Sequence, residues 1–107
     1  MINHEHEVAY ICGAISDDPA YVLKLSEAMM VLEFLGYHVL IPTMIPPILT
    51  YSEHMAIDLV MVECADVLVK LPDYVKSKGA QREQHRAAIH DKRIILYKGI
   101  DTEPPRW

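Results

Sequence analysis

Four short apolar runs, separated by longer amphipathic stretches, constrain this chain more than any other feature. Val8-Ala9-Tyr10-Ile11-Cys12 is a continuous run closed by Gly13. It lacks the polar–apolar alternation of a half-exposed strand and reads as a strand buried on both faces. Tyr37-His38-Val39-Leu40-Ile41, Val67-Leu68-Val69-Lys70-Leu71 and Arg93-Ile94-Ile95-Leu96-Tyr97 repeat the pattern. Between the first two runs, Val22, Leu25, Met29, Leu32 and Leu35 recur at helical spacing. Asp17-Asp18-Pro19 signals the start of that helix, and Gly36 stops it as the residue past the cap. Ser52 is the expected cap of a helix through Cys64, and Ser77-Lys78-Gly79 leads into a helix over 80–90. Residues 42–50 carry three prolines and are expected to form a loop rather than regular structure.

The order is therefore βαβαβαβ. Doubly buried strands alternating with helices define an α/β class, a parallel sheet of about four or five strands with helices on both faces. Right-handed crossovers in so short a chain favour a flavodoxin- or Rossmann-like strand order 2-1-3-4. In such folds ligands sit beyond the carboxyl ends of the strands. Those ends are residues 13–16, 42–50, 72–79 and the stretch after Tyr97.

The sequence of 107 residues suits one domain over 1–107, with 1–7 and 98–107 as peripheral tails. It is 51% hydrophobic and 23% charged, which excludes disordered and fibrous classes. No apolar run approaches the ~18 residues of a membrane span, and the polar start MINHEHE does not resemble a leader. A net charge of −5 argues against polymeric nucleic acid as a partner, but not against a small anion held locally. Cys12 and Cys64 make no disulfide framework, and both are expected reduced and buried in a cytoplasmic protein. Met29, Met30, Met55 and Met61 are expected as core filler.

Three clusters carry candidate chemistry. Gly13-Ala14-Ile15-Ser16 lets the backbone pass close to a ligand, but it is not a dinucleotide fingerprint. Ser77-Lys78-Gly79-Ala80 sits at a helix mouth, where free N–H groups and the positive helix end favour an anion. Glu83, in or just after the first turn, is expected to be held ionised there and is a candidate nucleophile. The alternative for this segment is a displaced capping box with Glu83 solvated. Asp58, with His54 one turn earlier, is a candidate second carboxyl for acid–base work. His54 and Asp58 at i,i+4 also have metal-ligand spacing, but no third ligand is evident. His4, His6, His85 and His90 are expected as solvated residues.

The series YICGAIS, GYHVLIP, M-x-x-D, CADVLVKLP and S-K-G-A-x-x-E-x-x-x-A resembles the nucleoside 2-deoxyribosyltransferase superfamily over residues 8–97. It is most similar to a small phage- and bacteria-associated branch, with 2′-deoxynucleoside 5′-monophosphate N-glycosidase as another relative. The resemblance implies that Glu83 attacks the anomeric carbon and that Asp58 protonates or holds the leaving base. It implies that Tyr10 and Gly13 line the sugar pocket, and that Ser77, with Gly79 and Ala80, receives a 5′-phosphate. Ala14 and Asp17 depart from the commoner G-P-I-S-G form of the first loop. The expected function is cleavage of an N-glycosidic bond in a nucleoside or its 5′-monophosphate, by hydrolysis or transfer. No cofactor or metal is expected. The expected assembly is a homodimer or larger, with residues 44–49 and Pro104-Pro105-Arg106-Trp107 as contact surfaces. The alternative is a nucleotide-binding module without turnover, and a third reading is an interaction protein with a vestigial cleft.

Overall fold

The computed structural model describes residues 6–13, 20–46, 48–72 and 77–98. Expectations that fall on His4, Ala14, Ile15, Ser16, Asp17, Asp18, Pro19 and residues 104–107 lie outside the described residues. Four strands form one parallel sheet: β1 (Val8–Cys12), β2 (His38–Leu40), β3 (Val67–Lys70) and β4 (Arg93–Leu96). Their order is β2-β1-β3-β4, as the crossover rule requires. Three helices connect them: α1 (Tyr21–Phe34), α2 (Tyr51–Cys64) and α3 (Lys78–Ile89).

The sheet divides the core in two. On one side α1 lays Leu25, Ala28 and Leu32 against Ala9, Ile11, Val39, Val67 and Val69. On the other, Val62 of α2 and Ala80 and Ala87 of α3 pack with Tyr10, Cys12 and Leu68. Alternate residues of β1 thus serve opposite layers, which is why its sequence shows no polar face.

The helix ends refine the expected boundaries. Gly36 does occupy a left-handed conformation (φ 103°), and the Tyr37 N–H reaches the Leu32 carbonyl at 3.0 Å in a Schellman closure. Asp91 repeats this after α3 at φ 56°, with the Lys92 N–H on the Ala87 carbonyl at 2.9 Å. The α2 cap is Thr50 rather than Ser52. Thr50 and Glu53 bond each other's backbone N–H in a capping box, which holds the helix start two residues earlier than expected. The proline-rich loop contains a 3-10 turn at Pro42–Met44. It buries Ile45 and exposes Met44 and Ile48.

Two burial expectations are corrected. Cys12 is buried, but Cys64 is exposed, because the last residue of α2 falls outside the seam with the sheet. Met55 is buried, whereas Met30 is 70% exposed on the outer face of α1. No helix among the described residues is long and apolar enough to cross a membrane.

Candidate active site

α2 and α3 lie side by side on the same face of the sheet, each presenting one acid inward. Asp58 and Glu83 are both 3% exposed and are the buried charged residues of the described structure. Tyr10, fully buried on β1, donates its hydroxyl to Glu83 Oε2 at 2.8 Å. Asp58 Oδ2 faces His54 Nδ1 at 3.4 Å, one turn back along α2. The other oxygen, Asp58 Oδ1, is buried without a hydrogen-bond partner among the described residues. β1, α2 and α3 thus place Tyr10, Asp58 and Glu83 on one side of the sheet, with His54 beside Asp58 one turn earlier on α2.

Glu83 differs from expectation in its environment. Ser77 caps α3, so Glu83 is the sixth helical residue, in the second turn and past the reach of the helix N-terminus. Burial raises its carboxyl well above the ordinary range, and the neighbouring Asp58 carboxyl raises it further, against the lowering effect of the Tyr10 hydrogen bond. Burial also raises Asp58, opposed by contact with Glu83 and by His54. Tyr10 is itself raised, chiefly by burial and then by the Glu83 charge. Two acids so placed resist joint ionisation. Past the first turn Glu83 gains little from the helix dipole, and desolvation opposes the ionisation expected of it. The solvated capping-box alternative is also excluded, since Glu83 is inside.

The α3 mouth is likewise more specific than expected. The Ser77 hydroxyl accepts the Ala80 N–H at 3.1 Å, so that donor is already used. Ala80 is buried against Tyr10 and Cys12, and its side chain serves the core. Lys78 turns away, lining an outer α2–α3 groove with Leu59, Arg82, His85 and Ile89. Gly79 is where space matters. A Cβ there would meet Met55 Sδ at 3.3 Å, Ser77 Oγ at 3.6 Å and Tyr51 Oη at 3.7 Å. Tyr51, which the sequence reading did not single out, thus brings a second hydroxyl beside Ser77. Its place in the first turn of α2 is a signal only once the two helix starts are known to converge. Gly13 is buried immediately after β1. Among the described residues no cluster of three or more His, Cys, Asp or Glu side chains could hold a metal ion.

A doubly covered parallel sheet with helices on both faces defines a Rossmann-like α/β protein, here with two buried acids on adjacent helices. The chain belongs to the family described as Domain of unknown function (DUF4406), whose sequence model matches residues 7–96. Among solved structures it is similar to the CMP N-glycosidase BcmB of Clostridium botulinum, with 18% identity and a TM-score of 0.64. That match covers 84% of this chain and 70% of BcmB. It is also similar to BlsM in solution, with 23% identity and a TM-score of 0.65, spanning 84% of this chain and 63% of BlsM. At these identities the likeness is one of fold. No curated protein matches the sequence.

Proposed function

We propose that this chain cleaves the N-glycosidic bond of a nucleoside 5′-monophosphate or nucleoside, as a member of the nucleoside 2-deoxyribosyltransferase superfamily. One observation carries the proposal: two carboxyls from different helices, Asp58 and Glu83, are buried on the same face of the sheet, and the Tyr10 hydroxyl donates to Glu83. Folding tends to exclude such pairs, because burying charge costs more than it returns unless chemistry uses it. In this reading Glu83 attacks C1′ and Asp58 gives its proton to the departing base. Water or a second base then releases the sugar, the double displacement of retaining glycosidases. Tyr10 orients Glu83, while Gly13, Ser77, Gly79 and Ala80 shape the sugar and phosphate end. The fold shared with a CMP N-glycosidase is consistent with this class and leaves base and sugar open.

The test is incubation with the common ribo- and deoxyribonucleosides and their 5′-monophosphates, followed by chromatography for free base. Release of base supports the reading, and its absence across the set refutes it. A second reading, a nucleotide-binding module without turnover, is favoured by the burial of Glu83, since desolvation opposes the ionised form that a nucleophile needs. A ligand-induced rise in melting temperature without base release would select it.

A further inference from the structure

We infer that His54 is a positioning residue for Asp58, donating Nδ1–H to Oδ2 so that the transferable proton is carried on Oδ1. The inference rests on the glycosidic reading above and adds a residue to it. His54 Nδ1 lies 3.4 Å from Asp58 Oδ2, while Oδ1 is buried without a hydrogen-bond partner among the described residues. The two oxygens of this acid are therefore inequivalent before any substrate arrives. The spacing that produces the contact is i,i+4 on α2, so the helix backbone fixes the pair. The α2 start is fixed in turn by the Thr50–Glu53 capping box, and the His54 N–H bonds the Thr50 carbonyl at 2.9 Å. The groups facing this acid are His54 on its own helix, Glu83 from α3 and Tyr10 from β1. Of these, His54 alone keeps appreciable exposure, at 25% of its side chain, against 5% for Asp58.

The proton balance closes without a co-reactant. As the C1′–N bond breaks, its electron pair passes to the base nitrogen, which takes the proton from Asp58 Oδ1. The carboxylate so formed is held by the Nδ1–H of His54. In the second half, water attacks C1′, the bond to Glu83 breaks, and the water proton returns to Oδ1. In this role His54 acts through Asp58 alone.

Three variants separate this role from bulk packing. Asn places an amide nitrogen near the Nδ1 position, Gln places it near Nε2, and Ala removes both. His54→Ala and His54→Gln should lower kcat about 10–100-fold with KM little changed, the scale of a misdirected catalytic group. His54→Asn should retain most of kcat, and imidazole in solution should restore part of the His54→Ala loss. Nitrogen-15 NMR at pH 8, where a free imidazole is neutral, should show His54 protonated on Nδ1. An Nε2–H tautomer there overturns the inference whatever the activity. If the wild type cleaves a monophosphate and all three variants match it, His54 has no such role, and the glycosidic reading stands. If the wild type cleaves none of the monophosphates or nucleosides, both fall together.

Discussion

At the scale of single residues, Glu83 and Asp58 are chemically alike and differently placed. Glu83 accepts from Tyr10 inside the sheet–helix seam, whereas Asp58 leans toward His54 and the surface. Glu83→Gln should reduce cleavage at least ~10³-fold, since the amide keeps shape and removes the nucleophile. The same change has a consequence for stability. Because Glu83 binds its proton more tightly folded than unfolded, its contribution is present below the ordinary carboxyl range and is lost as pH rises through the elevated value. Glu83→Gln should therefore melt above the wild type at pH 8, with the gap closing toward pH 4. An unchanged gap across that range would contradict the burial effect. Asp58→Asn should cost ~10²–10⁴-fold for bases that leave poorly and much less for bases that leave well. Equal losses across a series of leaving bases would remove Asp58 from the role of acid.

At the scale of elements, the starts of α2 and α3 decide what the cleft can hold. Ser77 both caps α3 and faces its mouth, so a substitution there must preserve the cap to be informative. Asp is as good a cap as Ser, and Ser77→Asp should leave the fold intact. It should also invert ligand choice, since a carboxylate repels a 5′-phosphate but accepts a bond from a 5′-hydroxyl. In the wild type the monophosphate should bind about tenfold tighter than its nucleoside, the value of about one charge-assisted hydrogen bond. Calorimetric titration of both ligands into both proteins checks this, and equal affinities in the wild type would discard the phosphate site. Gly79→Ala should be neutral or slightly stabilising, because Ala is the better helix former by ~1 kcal/mol and the flexible Met55 can yield a few tenths of an ångström. It should nevertheless weaken monophosphate binding, since the new methyl group comes within 3.7 Å of both the Ser77 and Tyr51 hydroxyls. Unchanged affinity would mean that the ligand does not approach α3 at this point.

At the scale of the whole molecule, this small sheet leaves apolar surface outside. Leu23, Met30 and Phe34 on α1 are at least 70% exposed, and Ile48 in the proline-rich loop is 89% exposed. Closed twofold pairs are the commonest way to cover such surface. Light scattering at micromolar concentration should therefore return about twice 12.2 kDa, and a monomer would refute the dimer.

By itself the sequence determined the alternation of strands and helices, the parallel order and the two acids worth watching. These are matters of period and spacing: continuous apolar runs specify doubly buried strands, and handed crossovers then leave few topologies. Local chemistry also determined the Gly36 stop, where only a residue without a side chain enters the left-handed region freely. It was weaker where two signals competed, as when Thr50 rather than Ser52 took the α2 cap by adding the reciprocal bond from Glu53. The sequence could not weigh the desolvation of Glu83, because helix position is local whereas burial depends on what packs above it from α2 and β1. The His54–Asp58 pair was legible from its i,i+4 spacing on one helix, whereas Tyr51 acquired its place beside Gly79 only when α2 settled against α3. Only the tertiary structure decided that both carboxyls would be buried on one face of the sheet, since the proximity of residues 25 positions apart is set by packing and no sequence period records it.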